Sequence, residues 1–247
     1  MTQQELKVLL IEDNPGDAFL IKFYLGESTS PIFHVSHSED VKGGLELLSK
    51  GDFDIILSDM NLPDSFGLDT IKSVLSKYPG NLLIALTGFS DEELGLETVR
   101  YGAQDFLVKG KFDGKLLISS VMFSFERFKL NKQIDRVSKQ LDEENSRLDT
   151  IQKLLNAGYI EFDPQNNTVF RSDYTVQMVG MDENMASGKL DDGLKSLIDP
   201  SEIKAKISEA IAGNKIGTHD FTRKDGKSYR LTFECKNGKM LGVIQPV

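Results

Sequence analysis

The sequence predicts an α/β domain with a doubly wound, five-stranded parallel sheet, followed by a long coiled-coil helix and a smaller α+β domain with an antiparallel sheet. Three observations support this fold class. Short apolar runs alternate with helical patterns in the first half, residues 115–157 contain neither Pro nor Gly, and alternating strand patterns end the chain. Because 247 residues suffice for two ordinary domains, we expect domains at 1–126 and 157–247, joined by a linker at 127–156.

The five predicted strands of the first domain are short apolar runs that end in polar or turn residues. They lie at residues 7–11, 32–35, 54–58, 82–86 and 105–108. Helical spacing of apolar residues, with capping and stop signals, predicts four helices. They lie at residues 18–25, 39–49, 68–77 and 91–101. Strands that alternate with helices in this way are typical of a parallel sheet with helices on both faces.

The last domain is predicted to start with two strands and to end with three. The strands lie at residues 159–163, 168–170, 218–223, 228–235 and 239–244, and helices lie at 172–180 and 200–212. Asp225-Gly226 and Asn237-Gly238 are strong hairpin signals, so we expect the last three strands to be antiparallel. We interpret Cys235 as a small buried residue and His219 as a strand residue, not as cofactor ligands.

Composition and charge exclude several classes of protein. The formal net charge is −9, and the acidic excess lies in residues 1–115, which hold 10 basic and 19 acidic side chains. No basic face for nucleic acid is visible, and no apolar run approaches the roughly 20 residues of a membrane span. The single cysteine excludes an intramolecular disulfide. We therefore expect a cytoplasmic protein that binds neither nucleic acid nor membrane.

Polar side chains end four of the five strands in the first domain: Glu12 with Asp13, then Asp59, Thr87 and Lys109. Because the carboxyl ends of parallel strands meet at one edge of a sheet, these side chains are expected to lie together. Three crowded carboxylates repel one another and favour a bound cation. Oxygen ligands without His or Cys suit a hard ion such as Mg²⁺. For any single residue, a solvated loop side chain is the favoured explanation, but all four strand ends in this order favour a site.

An aspartate beside a divalent cation can act as a nucleophile toward a phosphoryl group. The transfer needs positive charge near the moving oxygens and a hydroxyl to bind one of them afterwards. Lys109 and Thr87 are the candidates for these two tasks. A different interpretation keeps the same sheet but makes the chain a small-molecule binder that is never phosphorylated.

Residues 5 to about 125 resemble the receiver domain of two-component response regulators. The resemblance is carried by Glu12 and Asp13, Asp59, Thr87, Lys109, and the run Leu62-Pro63-Asp64 with Gly67. It implies strand order 2-1-3-4-5 and phosphorylation of Asp59. It also implies a histidine kinase or phosphotransfer protein as the partner that supplies the phosphoryl group.

The same resemblance assigns roles to further residues. Thr87 and Phe106 would form the switch that responds to phosphorylation, and the backbone carbonyl of Asn61 would join Glu12, Asp13 and Asp59 as a Mg²⁺ ligand. The chain departs from the family pattern at Gly110, where the family usually has a proline after a cis bond. Because a cis bond without proline costs roughly 3 kcal/mol, we expect the Lys109–Gly110 bond to be trans.

Residues 127–156 show a heptad pattern of apolar residues. Positions a are Ile134, Leu141, Leu148 and Leu155, and positions d are Leu130, Val137 and Ile151. This pattern predicts a parallel coiled-coil homodimer; an antiparallel hairpin or packing on its own domain are the alternatives. Arg127 at a and Glu144 at d should weaken the seam. We hypothesise that this weakness lets the coil change register as a signal passes.

The order of elements in residues 157–247 resembles a PAS domain, whose ligand the sequence does not identify. The whole chain is therefore interpreted as a response regulator in which phosphorylation of Asp59 acts through a dimeric coiled coil on a PAS domain. We expect self-phosphorylation and autodephosphorylation of the receiver to be the only reactions of this chain, with no separate catalytic domain. The alternative is the regulatory part of a longer diguanylate cyclase or histidine kinase that is truncated after the PAS domain.

Overall fold

The computed structural model describes residues 4–88, 92–163, 165–166, 168–180, 187–189, 216–222, 226–236 and 239–247. The chain divides into two compact units, residues 1–136 and 137–247. Each unit has its own sheet and its own apolar core. No helix in the described part of the chain is both long and apolar enough to cross a membrane.

The first unit alternates strands and helices along the chain. Its strands are β1 (Glu5–Ile11), β2 (Ile32–Ser38), β3 (Ile55–Asp59), β4 (Asn61–Leu62), β5 (Ser65–Phe66), β6 (Leu83–Thr87) and β7 (Asp105–Val108). Its helices are α1 (Pro15–Gly26), α2 (Val41–Lys50), α3 (Leu68–Lys77), α4 (Glu92–Arg100) and the start of α5 (Gly114–Leu155). The main sheet is parallel in the order β2-β1-β3-β6-β7. This confirms the predicted five-stranded parallel sheet.

Two apolar layers cover the two faces of this sheet. Successive side chains of a strand point to opposite faces, so Val8 and Leu10 join one layer while Leu9 and Ile11 join the other. The first layer includes the buried faces of α1 and α5, and the second includes those of α2 and α3. All residues of β3 and β6 are buried. Strands covered on both faces are continuous apolar runs, which is why the sequence pattern located them.

A short hairpin, β4–β5, follows β3 and was not predicted. Asn61 pairs with Phe66 and Leu62 with Ser65. The two strands have only two residues each, which is too short for periodicity to show. Asp91, the first residue of the predicted helix 91–101, lies outside the described residues.

The second unit contains a six-stranded sheet in the order β10-β9-β8-β13-β12-β11. Its elements are β8 (Gly158–Asp163), β9 (Thr168–Arg171), α6 (Asp173–Val179), β10 (Ser187–Lys189), β11 (Ile216–Thr222), β12 (Ser228–Lys236) and β13 (Lys239–Pro246). All strand pairs are antiparallel, which confirms the smaller α+β class. Strand β10 was not predicted, and the predicted helix 200–212 lies outside the described residues. Cys235 and His219 are buried strand residues.

The end of α5 is bonded to the first strand of the second unit through Ser172. The Ser172 hydroxyl caps α6 by accepting from the Thr175 N–H at 3.3 Å and also accepts from the Tyr159 N–H at 3.2 Å. It donates to Gln152 on α5. Gly158 at the start of β8 allows α6 to approach closely, because a Cβ at this position would lie 2.3 Å from the Thr175 Oγ1. The Ser172 hydroxyl therefore connects the end of α5, the strand β8 and the start of α6, and we call this set of hydrogen bonds the joint at Ser172.

Candidate functional site

The carboxyl ends of four neighbouring strands carry the polar residues that the sequence singled out. Glu12 follows β1, Asp59 ends β3, Thr87 ends β6 and Lys109 follows β7. The strand registers align these ends: Ile11 pairs with Ser58, Asp59 with Leu86, and Thr87 with Val108. The structure therefore places these residues along one edge of the sheet.

Lys109 is the centre of this edge. Its Nζ lies 2.6 Å from Glu12 Oε2 and 2.8 Å from Asp59 Oδ2. The Glu12 side chain is fully buried, and that of Asp59 is 8% exposed. Ion pairs between buried groups are retained only when their geometry and hydrogen bonding compensate for lost hydration. The ammonium and the carboxylates therefore depend on each other.

Burial and hydrogen bonding shift the pKa values of Glu12 and Lys109, and they act in opposite directions on each group. Burial raises the pKa of Glu12 from an ordinary 4.5 to about 7, against the hydrogen bond from Lys109, which lowers it. Burial acts to lower the pKa of Lys109, but hydrogen bonds to Asp59 and Glu12 outweigh it and raise that pKa. Burial thus favours the neutral form of Glu12, whereas hydrogen bonds to two carboxylates favour the charged form of Lys109.

Three carboxylates at this edge form a candidate cation site. Glu12, Asp13 and Asp59 each offer one oxygen, and these three oxygens lie within 4.8 Å of one another. Glu12 and Asp59 are buried, whereas Asp13 is exposed. A donor set of carboxylate oxygens alone fits a hard divalent ion such as Mg²⁺. The predicted carboxylates are thus gathered in a form that fits the ion.

The structure places Asn61 two residues beyond Asp59, at the start of β4. Its backbone N–H donates to Asp59 Oδ1 at 3.2 Å. This bond fixes the loop against the Asp59 carboxylate. The role of the Asn61 carbonyl as a cation ligand stays a prediction.

Thr87 and Phe106 lie on the two strands beyond β3. The Thr87 side chain is buried, and its Oγ1 has no hydrogen-bond partner among the described residues. A buried hydroxyl without a partner is costly, so this oxygen is suited to a group that arrives later. The half-buried Phe106 ring packs on α4, where a Cβ at Gly95 would lie 2.3 Å from the ring. The ring is therefore in close contact with the backbone of α4 at Gly95.

The turn that carries Lys109 departs from the proline pattern as expected. The Lys109–Gly110 bond is trans, because the cis bond in the described residues is Ser30–Pro31. Gly110 has φ +78°, and the Lys111 N–H donates to the Val108 carbonyl at 3.1 Å. A positive φ at this turn position favours glycine. Gly110 thus replaces proline with a different tight turn.

Sequence reasoning assigned no individual role to two acidic residues near this edge. Asp17 Oδ2 lies 3.1 Å from Lys109 Nζ, and Asp64 accepts from the N–H groups of Val41 and Lys42 at 3.0 and 2.9 Å. Asp64 thereby ties the loop after Asp59 to the start of α2. The signal for Asp17 was present, since Asn14-Pro15-Gly16 begins a helix directly after the acidic pair. Asp64 had no comparable local signal.

Comparison with known proteins agrees with this geometry. Residues 8–121 match the family described as the response regulator receiver domain. The response regulator protein PilR of Pseudomonas aeruginosa is 30% identical over 110 residues, which cover 44% of this chain and 24% of PilR. The cell cycle transcriptional regulator CtrA of Caulobacter vibrioides is 30% identical over 104 residues, which cover 42% of this chain and 44% of CtrA.

A solved receiver domain protein from Clostridium thermocellum is 25% identical to this chain. The match has a TM-score of 0.45 and covers 51% of this chain and 98% of that one. The chain spans less than half the length of the curated relatives PilR and CtrA.

The sheet order and the acidic edge define a doubly wound domain with a candidate cation site at the carboxyl ends of its strands. Residues 8–121 are a response regulator receiver domain of the two-component type.

Proposed function

We propose that this chain is a phosphorylation-dependent response regulator in which Asp59 accepts a phosphoryl group from a histidine kinase or phosphotransfer protein. One observation carries this proposal. The Lys109 ammonium lies 2.8 Å from Asp59, beside three carboxylate oxygens that lie within 4.8 Å of one another. A nucleophile, a cation site and a fixed positive charge therefore share one pocket.

In the proposed step, an Asp59 oxygen attacks the phosphorus of a phosphohistidine. The new O–P bond forms as the P–N bond breaks, and the leaving imidazole takes a proton from solvent. Lys109 stabilises the negative charge on the transferred oxygens. A bound Mg²⁺, held by Glu12, Asp13, Asp59 and the Asn61 carbonyl, would neutralise further charge.

The proposed switch is based on the Thr87 hydroxyl, which has no hydrogen-bond partner among the residues that the structure describes. A phosphoryl oxygen on Asp59 gives this hydroxyl an acceptor, so Thr87 would move toward the site. Phe106, which packs on Gly95 of α4, would follow on the neighbouring strand. The phosphate adds about −1.5 to −2 charge at neutral pH, which is enough to bias such a two-state element.

We further infer that α5 associates with a second copy as a parallel coiled coil over residues 127–156. The support is an apolar stripe whose members are each half or more exposed in the single chain. They are Leu130, Ile134, Val137, Leu141, Leu148, Ile151 and Leu155. An amphipathic helix of this length gains stability by burying such a stripe.

The receiver would act on the carboxyl-terminal domain, residues 157–247, through this helix. The joint at Ser172, which bonds α5 to β8 and α6, supports such a route. The antiparallel sheet after a long helix supports the assignment of a cytoplasmic PAS-like domain, with a ligand still to be found. In this proposal the chain has no separate catalytic domain.

An alternative is that the chain regulates a longer enzyme, such as a diguanylate cyclase or a histidine kinase. The gene sequence beyond codon 247 would decide between the two.

Labelling with acetyl phosphate tests the proposal. The wild-type protein should take up label in the presence of Mg²⁺ and should take up none in EDTA. The Asp59→Asn variant should take up no label in either condition. The matched control is Asp69→Asn, an exposed aspartate on α3, which should label like the wild type. Equal labelling of Asp59→Asn would exclude Asp59 as the acceptor. No labelling of the wild type would favour the non-phosphorylated small-molecule binder.

A further inference from the structure

Asp17 contacts Lys109 from outside the candidate cation site. The Lys109 ammonium has three N–H bonds, and its three carboxylate partners are Glu12, Asp59 and Asp17, at 2.6, 2.8 and 3.1 Å. Glu12 and Asp59 belong to the group of three carboxylates that offers a cation site, whereas Asp17 does not. Asp17 is therefore the partner of Lys109 that a bound cation leaves free.

The start of α1 aims the Asp17 carboxylate at Lys109. Asn14 caps the helix, and its Oδ1 accepts from the N–H groups of Gly16 and Asp17 at 2.8 and 3.2 Å. An acidic residue at the third helical position often bonds back to the N–H of the capping residue. Here the Asn14 N–H instead donates to Glu12 Oε1 at 3.2 Å. The Asp17 carboxylate is left to bond Lys109.

Phosphorylation changes the other two partners of Lys109. A carboxylate that coordinates a cation offers fewer lone pairs to an ammonium group, and a phosphorylated Asp59 has given one oxygen to the new O–P bond. A lysine with its four-carbon stem then needs another restraint to stay in place. One N–H bonded to Asp17 leaves two for phosphoryl oxygens.

We propose that Asp17 is a positioning residue that holds the Lys109 ammonium at Asp59 while Glu12 and Asp59 are engaged by cation and phosphoryl group. This inference rests on the proposed phosphorylation of Asp59. Asp17 acts through Lys109 and touches neither the cation nor the phosphoryl group. Its side chain is 41% exposed, so its contribution is smaller than that of a buried partner.

The test compares Asp17→Ala, Asp17→Asn and Asp17→Glu with the wild type in the full chain. The first readout is the rate constant of phosphorylation by acetyl phosphate at saturating Mg²⁺. We expect it to fall roughly fivefold in Asp17→Ala, as for the loss of one partly exposed charged hydrogen bond, and to recover in Asp17→Glu. Asp69→Ala, which removes an aspartate from the first turn of α3, is the matched control and should not change it.

The second readout detects the position of the ammonium itself. In ¹⁵N-lysine protein with Mg²⁺ and beryllofluoride, a bonded Lys109 ammonium should give a protected ¹⁵Nζ signal, assigned by its loss in Lys109→Arg. The signal should vanish in Asp17→Ala and return in Asp17→Glu, which a purely structural role of Asp17 would not produce. Asp17→Asn, which keeps the shape of the side chain, replaces Asp17→Ala if that variant does not fold.

The outcomes separate this inference from the proposed function. A wild type labelled on Asp59, together with Asp17 variants that keep the rate constant or the ¹⁵Nζ signal, would overturn the role of Asp17 and leave the proposed function standing. Equal labelling of Asp59→Asn would overturn the proposed function, and the inference on Asp17 with it.

Discussion

The backbone N–H of Lys109 donates to the carbonyl of Thr87 at 2.8 Å. This bond continues the pairing of β6 with β7 beyond the last residue of β7. It joins Thr87, whose hydroxyl has no partner among the described residues, to Lys109, which carries the ammonium group. A displacement of Thr87 toward a phosphoryl group would therefore also displace the backbone of Lys109. Phe106, three residues earlier on β7, would be displaced with it.

Removal of the Lys109 ammonium should destabilise the receiver domain when no divalent cation is present. Lys109→Met leaves buried Glu12 and Asp59 without a counter-charge, and breaking a buried pair in this way costs roughly 3 kcal/mol. Urea unfolding at pH 8 in EDTA measures this loss, and added Mg²⁺ should recover part of it. Lys115→Met, a change at an exposed residue near the start of α5, is the control. Equal stability of Lys109→Met and wild type would contradict the prediction.

The stability of the cation-free protein should depend on pH through Glu12. Its folded pKa is about 7 and its ordinary value is 4.5, so between these values the folded protein binds a proton that the unfolded chain does not. The contribution of this group to stability is therefore complete below about pH 4.5 and is lost as the pH rises through about 7. The difference amounts to about 3 kcal/mol.

Urea unfolding in EDTA from pH 5 to pH 8 checks this dependence. Glu12→Gln should remove it, whereas Glu46→Gln, at an exposed site on α2, should keep it. Because protons and Mg²⁺ compete for Glu12, Mg²⁺ affinity should fall as the pH drops below about 7. A profile of Glu12→Gln that parallels the wild type would contradict the assignment of the pH dependence to Glu12.

The Asp64 carboxylate should stabilise the first domain from the loop after β3. Asp64→Ala removes two hydrogen bonds to the N-terminal N–H groups of α2, and loss of such a cap costs about 1 kcal/mol. Thermal unfolding in EDTA measures the change. Asp52→Ala, at an exposed residue before β3, should change stability by less than half as much.

The apolar stripe of α5 should determine the oligomeric state. Leu141→Glu places a charge at a central a position and should convert the proposed dimer to a monomer, whereas Ser146→Glu at an outer position should not. Sedimentation equilibrium distinguishes these states, and labelling of Asp59 should stay unchanged in both variants. A wild type that is monomeric at all concentrations would refute the proposed coiled coil.

Glu144 tests the hypothesis that the coil changes register. Glu144→Leu loses only an exposed ion pair with Arg147 at 2.9 Å, worth at most about 1 kcal/mol, and gains an apolar d position. The dimer should tighten, and the effect of phosphorylation on hydrogen exchange in β8 should shrink. An unchanged effect of phosphorylation in a tighter dimer would refute the register hypothesis.

The Ser172 hydroxyl should couple α5 to the second unit. Ser172→Ala removes bonds to Gln152 and Tyr159 together with the cap of α6, so amide exchange should accelerate at both the end of α5 and the start of β8. Thr168→Ala, at an exposed residue on β9, is the control. Acceleration confined to α6 would show that the hydroxyl serves only as a cap.

The predictable part of the site consists of residues that stand next to an apolar run. Asp59 follows Ile55–Leu57 and Lys109 follows the run that ends at Val108, so a local pattern combined with one rule of parallel sheets brought them together. The bond between Asp17 and Lys109 joins residues 92 positions apart, and no local pattern expresses it. The hairpin β4–β5 escaped prediction because two residues do not establish a period.

The sequence by itself determined the class of the first domain and the residues at its active edge, because burial on both faces of a parallel sheet leaves a readable apolar run. It also predicted the long helix, because apolar residues at spacings of three and four, over a stretch without Pro or Gly, indicate one continuous helix. Only the tertiary structure decided that Glu12, Asp17 and Asp59 all contact the Lys109 ammonium. It also decided that the Thr87 hydroxyl is buried without a hydrogen-bond partner among the described residues. Those facts depend on distances between elements that meet only after the sheet has formed.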